Sequence, residues 1–156
     1  MLDQDLTLAG EILAHLEVST SGTDSDWVVK LIDVYPDDMP DGEHTPDGIV
    51  LGGYQQMVRS EIFRGRYRDS YETSKPFVPG EVTEVEIPLQ DVFHTFEAGH
   101  RVMVQVQSTW FPLFDRNPQT FVENIFEAEA ADFVRATQRV YHAPANASYL
   151  EFRSLR

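Results

Sequence analysis

Residues 84–107 read EVEIPLQDVFHTFEAGHRVMVQVQ, and this stretch decides the fold class. Branched apolar residues occupy alternate positions over 85–89, and valines do so again over 102–106. Because successive side chains of a β-strand point to opposite faces, strict alternation predicts two half-buried strands. The glycine-containing segment 97–100 between them predicts a turn.

Further strands are predicted on both sides of this pair. Residues 12–18 alternate in the same way, and the Ser/Thr/Gly/Asp-rich residues 19–26 predict a turn after them. Residues 27–35 (WVVKLIDVY) are apolar on both faces, which predicts a central strand that Pro36 ends. At the other end of the chain, residues 137–142 and 148–153 predict a closing pair of strands across a Pro-Ala-Asn turn.

The remaining segments are less regular. Residues 37–47 are rich in acids and proline and predict an exposed loop, and MVRSEIF within 48–63 predicts another strand. Residues 64–79 predict a long connection with a short irregular strand. Thr120 and Glu123 have capping-box spacing, which predicts one or two short helical turns within 121–134. The sequence therefore predicts an all-β antiparallel sandwich forming one domain over residues 1–156.

The composition excludes several classes of function. Acidic residues outnumber basic ones by 26 to 12, which argues against binding nucleic acid or an acidic membrane surface. No apolar run approaches the length of a membrane helix. The absence of cysteine removes disulfides, thiolate chemistry and most zinc frameworks. The compartment stays open.

No catalytic residue, metal site or cofactor site is predicted. The G-x-S-x-G elbow of the α/β-hydrolases does not occur, and His94 and His100 do not have the spacing of a known metal motif. The favoured interpretation places both histidines beside a turn. Asp24 and Asp26 could chelate a cation or form a glycosidase acid pair, but a solvated turn is favoured.

The segment 108–118, STWFPLFDRNP, joins bulky apolar residues to a polar cluster between two prolines. An apolar loop of this kind is costly when exposed, which predicts packing against another domain. Arg64, Arg66 and Arg68 are expected to pair with local carboxylates. The candidate interdomain residues are Trp110, Phe111, Leu113, Phe114, Asp115, Arg116 and Asn117.

Four ordered stretches (19–38, 53–70, 76–118 and 136–143) carry a family resemblance. Together they resemble the C-terminal domain of the X-Pro dipeptidyl-peptidase and cocaine-esterase (CocE/NonD) hydrolase superfamily, nearest to glutaryl-cephalosporin acylases and α-amino-acid ester hydrolases. The resemblance implies a galactose-binding-like jelly roll that follows an α/β-hydrolase domain with a Ser-His-Asp triad. It implies a fragment of a longer hydrolase of esters, amides or X-Pro peptides, with no residue of the triad in this chain.

This chain differs from the family in one respect. The resemblance implies that the family's domain begins with a further strand region, which this chain lacks. A missing edge strand would favour a homo-oligomer. Two other functions stay open. One is a freestanding carbohydrate-binding module, and the other is a self-associating structural fragment. The module would use an aromatic platform drawn from Trp27, Tyr54, Tyr67, Tyr71 and Trp110.

Overall fold

The computed structural model describes residues 1–155, which form two main antiparallel β-sheets and a short hairpin. The strands are β1 (Leu6–Thr20), β2 (Asp26–Val34), β3 (Gln55–Arg64), β4 (Thr83–Phe96), β5 (Arg101–Gln107), β6 (Gln138–Val140), β7 (His142–Ala143), β8 (Asn146–Ala147) and β9 (Tyr149–Leu155). Within these residues the helical segments are three 3₁₀ turns, at Gly65–Tyr67, Ile125–Glu127 and Ala130–Asp132. None of them is long and apolar enough to cross a membrane.

The first sheet is built around β1. β4 pairs with one edge of β1 along most of its length. The other edge is shared, because β9 pairs with the first part of β1 and β6 with Val18–Thr20. The predicted closing strands are therefore present, but each pairs with β1, while β7 and β8 form the hairpin between them.

The second sheet has the order β3-β2-β5. Lys30 on β2 lies opposite Ser60 on β3 and opposite Gln105 on β5, so β2 is hydrogen-bonded on both sides. The predicted central strand at 27–35 is confirmed. The loop that follows, up to Tyr54, is largely exposed, as its acids and prolines predict.

The hydrophobic core lies between the inner faces of the two sheets, and this confirms the predicted antiparallel sandwich. Alternate residues of β1 and β4 supply one layer, and β2 supplies most of the other. The buried cluster consists of Leu8, Ile12, Ala14, Leu16, Val18, Trp27, Val29, Leu31, Phe63, Phe77, Val85, Ile87, Leu89, Val92 and Phe96.

The connection 65–82 contains no strand, so the irregular strand predicted within 64–79 is wrong. A side chain takes the place of a strand partner here. The Arg68 guanidinium donates to the backbone carbonyl oxygens of Gly65, Lys75 and Pro76, at 2.8–3.0 Å. Arg68 thus satisfies three backbone carbonyl groups of this connection without a sheet ladder.

The helical turns predicted within 121–134 are confirmed as the second and third 3₁₀ turns, but the capping residue differs. Asn124 caps the first of them, its Oδ1 accepting from the Phe126 backbone N–H at 3.1 Å. Thr120 precedes the helical residues and caps neither turn. The reciprocal capping box is formed instead by Glu129 and Asp132.

Candidate interdomain surface

A buried ion pair lies at the end of the sandwich where β1 turns into β2. Nε and Nη2 of Arg66 donate to Oδ2 of Asp24 at 2.9 and 2.7 Å. Nη2 also donates to the carbonyl oxygen of Val122 at 2.8 Å. Burial raises the pKa of Asp24, against the lowering effect of the guanidinium. The pair joins the β1–β2 turn to the segment that precedes the second 3₁₀ turn.

A second group of polar side chains surrounds Asp26 at the start of β2. Asn117 Nδ2 donates to Oδ1 of Asp26 at 2.9 Å, and Arg64 Nη1 donates to Oδ2 at 3.2 Å. Arg64 Nη2 reaches Asp115 Oδ1 at 2.6 Å. Burial raises the pKa of Asp26 to about 6, opposed by the Asn117 hydrogen bond and the Arg64 charge. Asp115 and Asn117 thus fix the C-terminal base of the loop that precedes them.

That loop, Trp110–Phe114, presents apolar side chains to solvent, and we call it the apolar loop. Phe111, Leu113 and Phe114 are 62%, 64% and 38% exposed. Trp110 is half-buried, with Lys30 Nζ 4.3 Å from its ring centroid. Contiguous exposed apolar side chains are costly in water, so the apolar loop is a candidate contact surface.

The seven candidate interdomain residues therefore divide into two sets. Four of them form the apolar loop, and Arg116 is exposed beside it, with its guanidinium 5.3 Å from the Phe111 ring. Asp115 is half-buried. Asn117 is buried and donates a hydrogen bond to Asp26, so it does not belong to the exposed surface.

The solvated turn expected for Asp24 and Asp26 is wrong, because both carboxylates are buried. Each is occupied by a guanidinium, so neither is free for a cation or for glycosidase chemistry. The expected pairing of Arg64 and Arg66 with carboxylates is confirmed, but their partners lie far away in sequence. Arg68 does not follow this expectation, because its guanidinium binds backbone carbonyl oxygens instead of a carboxylate.

His94 and His100 converge on Asp33, a buried carboxylate of β2. His94 Nε2 lies 2.9 Å from Oδ2, and His100 Nδ1 lies 2.8 Å from Oδ1. His94 lies within β4, and His100 directly precedes β5. Sequence reasoning missed Asp33 as their partner. The available signal was its position as an acid within residues 27–35, where Lys30 is the other charged residue.

His15, Glu84 and Glu86 lie together on the outer face of the first sheet. Their ligand-type atoms are within 4.8 Å of one another, with His15 Nδ1 3.0 Å from Glu86 Oε1. This set could hold a divalent cation, and sequence reasoning missed it because the cross-strand register brings the residues together. Both glutamates are exposed, and acidic groups of this kind are common at surfaces without an ion.

Of the aromatic residues considered for a sugar platform, Tyr67 and Tyr71 line one pocket beside Phe63. Trp27 is buried in the core. The others with an aromatic partner lie in separate pairs, namely Tyr54 with Tyr35, Tyr71 with Phe63 and Trp110 with Phe114.

Comparison with known proteins places this architecture in a family. Residues 1–151 match the model of the X-Pro dipeptidyl-peptidase C-terminal non-catalytic domain. The chain belongs to this family. The cocaine esterase of Rhodococcus sp. (strain MB1 Bresler) is 32% identical over 150 residues, which are 96% of this chain and 23% of that protein.

Two solved structures contain a domain similar to this member of the X-Pro dipeptidyl-peptidase C-terminal family. One is an aminopeptidase from the marine sediment archaeon Thaumarchaeota archaeon, 51% identical with a TM-score of 0.92. The other is an α-amino acid ester hydrolase, 51% identical with a TM-score of 0.91. Each match covers 99% of this chain and 24% of the other. The chain thus corresponds to the non-catalytic C-terminal domain of CocE/NonD-type hydrolases and spans about a quarter of these relatives.

Proposed function

We propose that this chain is a single accessory domain of a larger serine hydrolase of esters, amides or X-Pro peptides. In this proposal it packs against the α/β-hydrolase domain of the same polypeptide and supports its substrate cleft. The apolar loop is the observation that carries the proposal. The relatives support it, because they contain this domain within chains about four times as long.

The apolar loop is suited to docking because its base is fixed before it meets a partner. Arg64 binds both Asp26 and Asp115, and the Asn117 amide binds Asp26 as well. A loop held in place by buried side chains loses less conformational entropy on binding than a mobile one. Burial of an aromatic or leucine side chain contributes about 1.5–3 kcal/mol. Phe111, Leu113 and Phe114 are already partly buried, so each would contribute about half of this amount on docking.

The experiment is the double substitution Phe111→Ser and Phe114→Ser in the polypeptide that carries both domains. We expect a lower unfolding temperature for the whole protein and reduced hydrolysis of a chromogenic ester. Phe93→Ser is the matched control, because Phe93 is a largely exposed phenylalanine on β4, outside the apolar loop. Unchanged stability together with unchanged activity would refute the proposal.

The alternative function, a freestanding carbohydrate-binding module, requires aromatic side chains that share one exposed surface. Trp27 is buried and Tyr54 and Trp110 have other aromatic partners, so only Tyr67 and Tyr71 could supply such a surface. Calorimetric titration with common oligosaccharides distinguishes the two functions, since only the module would give saturable heat.

A further inference from the structure

The exposed loop between β2 and β3 contains the same tripeptide twice. Pro-Asp-Gly occurs at residues 40–42 and again at residues 46–48, and these hold the two Asp-Gly sequences of the chain. The aspartate and the glycine are exposed in both copies, so exposure does not distinguish them. An aspartate before glycine is open to attack by the next backbone nitrogen, because glycine has no side chain to shield that nitrogen.

In the first copy both reacting groups are held by hydrogen bonds. Oδ1 of Asp41 accepts from the backbone N–H of Leu51 at 2.8 Å. The backbone N–H of Gly42 donates to Oγ1 of Thr45 at 2.9 Å. The carboxyl group and the amide nitrogen are thus kept in separate contacts, and the loop must open locally before they can react with each other.

The second copy has neither restraint. Within residues 1–155, the Asp47 carboxyl group and the Gly48 N–H make no hydrogen bond. The turn that contains them is closed by its outer residues, because the Ile49 N–H donates to the Pro46 carbonyl oxygen at 3.0 Å. Gly48 has a φ of 82°, as the third residue of a type II turn requires, and a Cβ there would meet no atom within 4 Å. The reacting groups are therefore free and uncrowded.

We propose that Asp47 is a site of spontaneous isomerisation to isoaspartate, whereas Asp41 is protected from the same reaction. The Gly48 nitrogen attacks Cγ of Asp47, an N–Cγ bond forms, and the carboxyl hydroxyl leaves as water together with the amide proton. Water then adds to the resulting succinimide and breaks one of its two C–N bonds. Cleavage at the backbone carbonyl leaves Gly48 joined through Cγ, which is isoaspartate, and cleavage at Cγ restores aspartate.

Isomerisation changes the backbone of the loop as well as one residue. The chain then runs through Cβ and Cγ of Asp47 and gains one methylene, so the turn between Pro46 and Ile49 cannot keep its four-residue geometry. The former backbone carbonyl becomes a free carboxylate. This carboxylate is the group that isoaspartyl methyltransferases esterify with the methyl group of S-adenosylmethionine, so the modified chain is a substrate for this class of enzyme. The proposal is independent of the proposed function, because it concerns this loop alone.

The experiment is prolonged incubation of the folded chain at mildly acidic pH, where part of the carboxyl group is protonated and can lose water. Electron-transfer fragmentation of a protease digest distinguishes isoaspartate from aspartate at each position. We expect isoaspartate to accumulate at Asp47 at least about tenfold faster than at Asp41, where reaction requires local opening. Asp47→Glu should abolish most of the methyl acceptance by the aged chain, because glutamate would have to close a six-membered ring, which is far slower.

Two controls separate the structure from the local sequence. In guanidinium chloride the two sites should isomerise at similar rates, because the tripeptides are identical and the hydrogen bonds are lost. In the folded chain, Thr45→Val removes the acceptor of the Gly42 N–H. It should raise the rate at Asp41 and leave the rate at Asp47 unchanged.

Equal rates at Asp41 and Asp47 in the folded chain would overturn the proposal, as would a faster reaction at Asp41. Isoaspartate that forms at both sites in guanidinium chloride but at neither in the folded chain would show that the loop protects Asp47 as well. That result would also overturn the proposal.

Discussion

Arg66 directs two of its nitrogens at a single oxygen of Asp24, with Nε at 2.9 Å and Nη2 at 2.7 Å, and both side chains are shielded from solvent. The same guanidinium lies 4.5 Å from the centroid of the Phe121 ring. A buried charge pair of this kind contributes little net stability, but loss of one partner leaves the other charge buried alone.

Arg66→Met should therefore be strongly destabilising. We expect the free energy of unfolding to fall by about 3–5 kcal/mol, because Asp24 then stays buried without its counter-charge. Urea unfolding measures the change. Lys75→Met is the control, since Lys75 pairs with Asp69 at the surface, where an ion pair contributes about 1 kcal/mol or less. Equal losses in the two variants would contradict the role given to Arg66.

Asp26 should make the protein less stable at neutral than at mildly acidic pH. Its pKa is raised from 3.8 to about 6, so the folded state binds the proton more tightly than the unfolded chain. The resulting stability is fully present below pH 3.8 and is lost as the pH rises through about 6. The loss is about 3 kcal/mol for a shift of this size.

Asp26→Asn should remove this part of the pH dependence, as measured by urea unfolding between about pH 4 and pH 7. Burial also raises the pKa of Asp24, so part of the slope remains in the variant. Asp69→Asn, at an exposed carboxyl, should leave the slope nearly unchanged. A slope that Asp26→Asn does not alter would mean that Asp26 titrates normally in the folded state.

Gly22→Ala should disturb the anchoring of the segment after the apolar loop. A Cβ at Gly22 would overlap the carbonyl oxygen of Gln119, which accepts the backbone N–H of Thr23 at 3.0 Å. We expect a loss of about 1–3 kcal/mol, because one of the two backbones must move. Gly42→Ala is the control, with its nearest atom, Thr45 Oγ1, at 3.7 Å. Thermal unfolding of the two variants compares them directly.

Asp115→Ala should loosen the apolar loop without unfolding the domain. It removes the contact to Arg64 and leaves Arg64 its second partner, Asp26. We expect amide hydrogen exchange in the apolar loop to rise about tenfold, with little change in global stability. Asp69→Ala should have no effect on these amides. Unchanged exchange in Asp115→Ala would show that the loop is held by other contacts.

Regular alternation made the strand positions predictable, but not their ends. The pattern at 12–18 predicts β1 and misses residues 6–11, where Gly10, at φ 101°, stands at the position between the buried residues Leu8 and Ile12. In β4 the pattern stops near Gln90, which has a φ of 68°. Beyond Gln90 the strand continues to Phe96, but the buried residues fall at positions of the other parity.

The polar network could not be predicted, because its members are distant in sequence. Asp24 lies in a Ser/Gly/Asp-rich turn, and a turn of this composition is expected to be exposed to solvent. Its partner Arg66 is 42 residues away in sequence. Only the packing of β3 beside β2 brings the two together. The apolar loop was accessible from sequence because the cost of exposing it is local.

The pairing of β1 determines when the first sheet can be completed. Thr7 lies opposite Leu155, so β1 leaves the ribosome long before its partner β9 is made. At ordinary rates of synthesis the interval is on the order of ten seconds. Contacts of such long sequence separation slow folding. Until β9 is made, one edge of β1 is a place where a chaperone or a neighbouring nascent chain can bind.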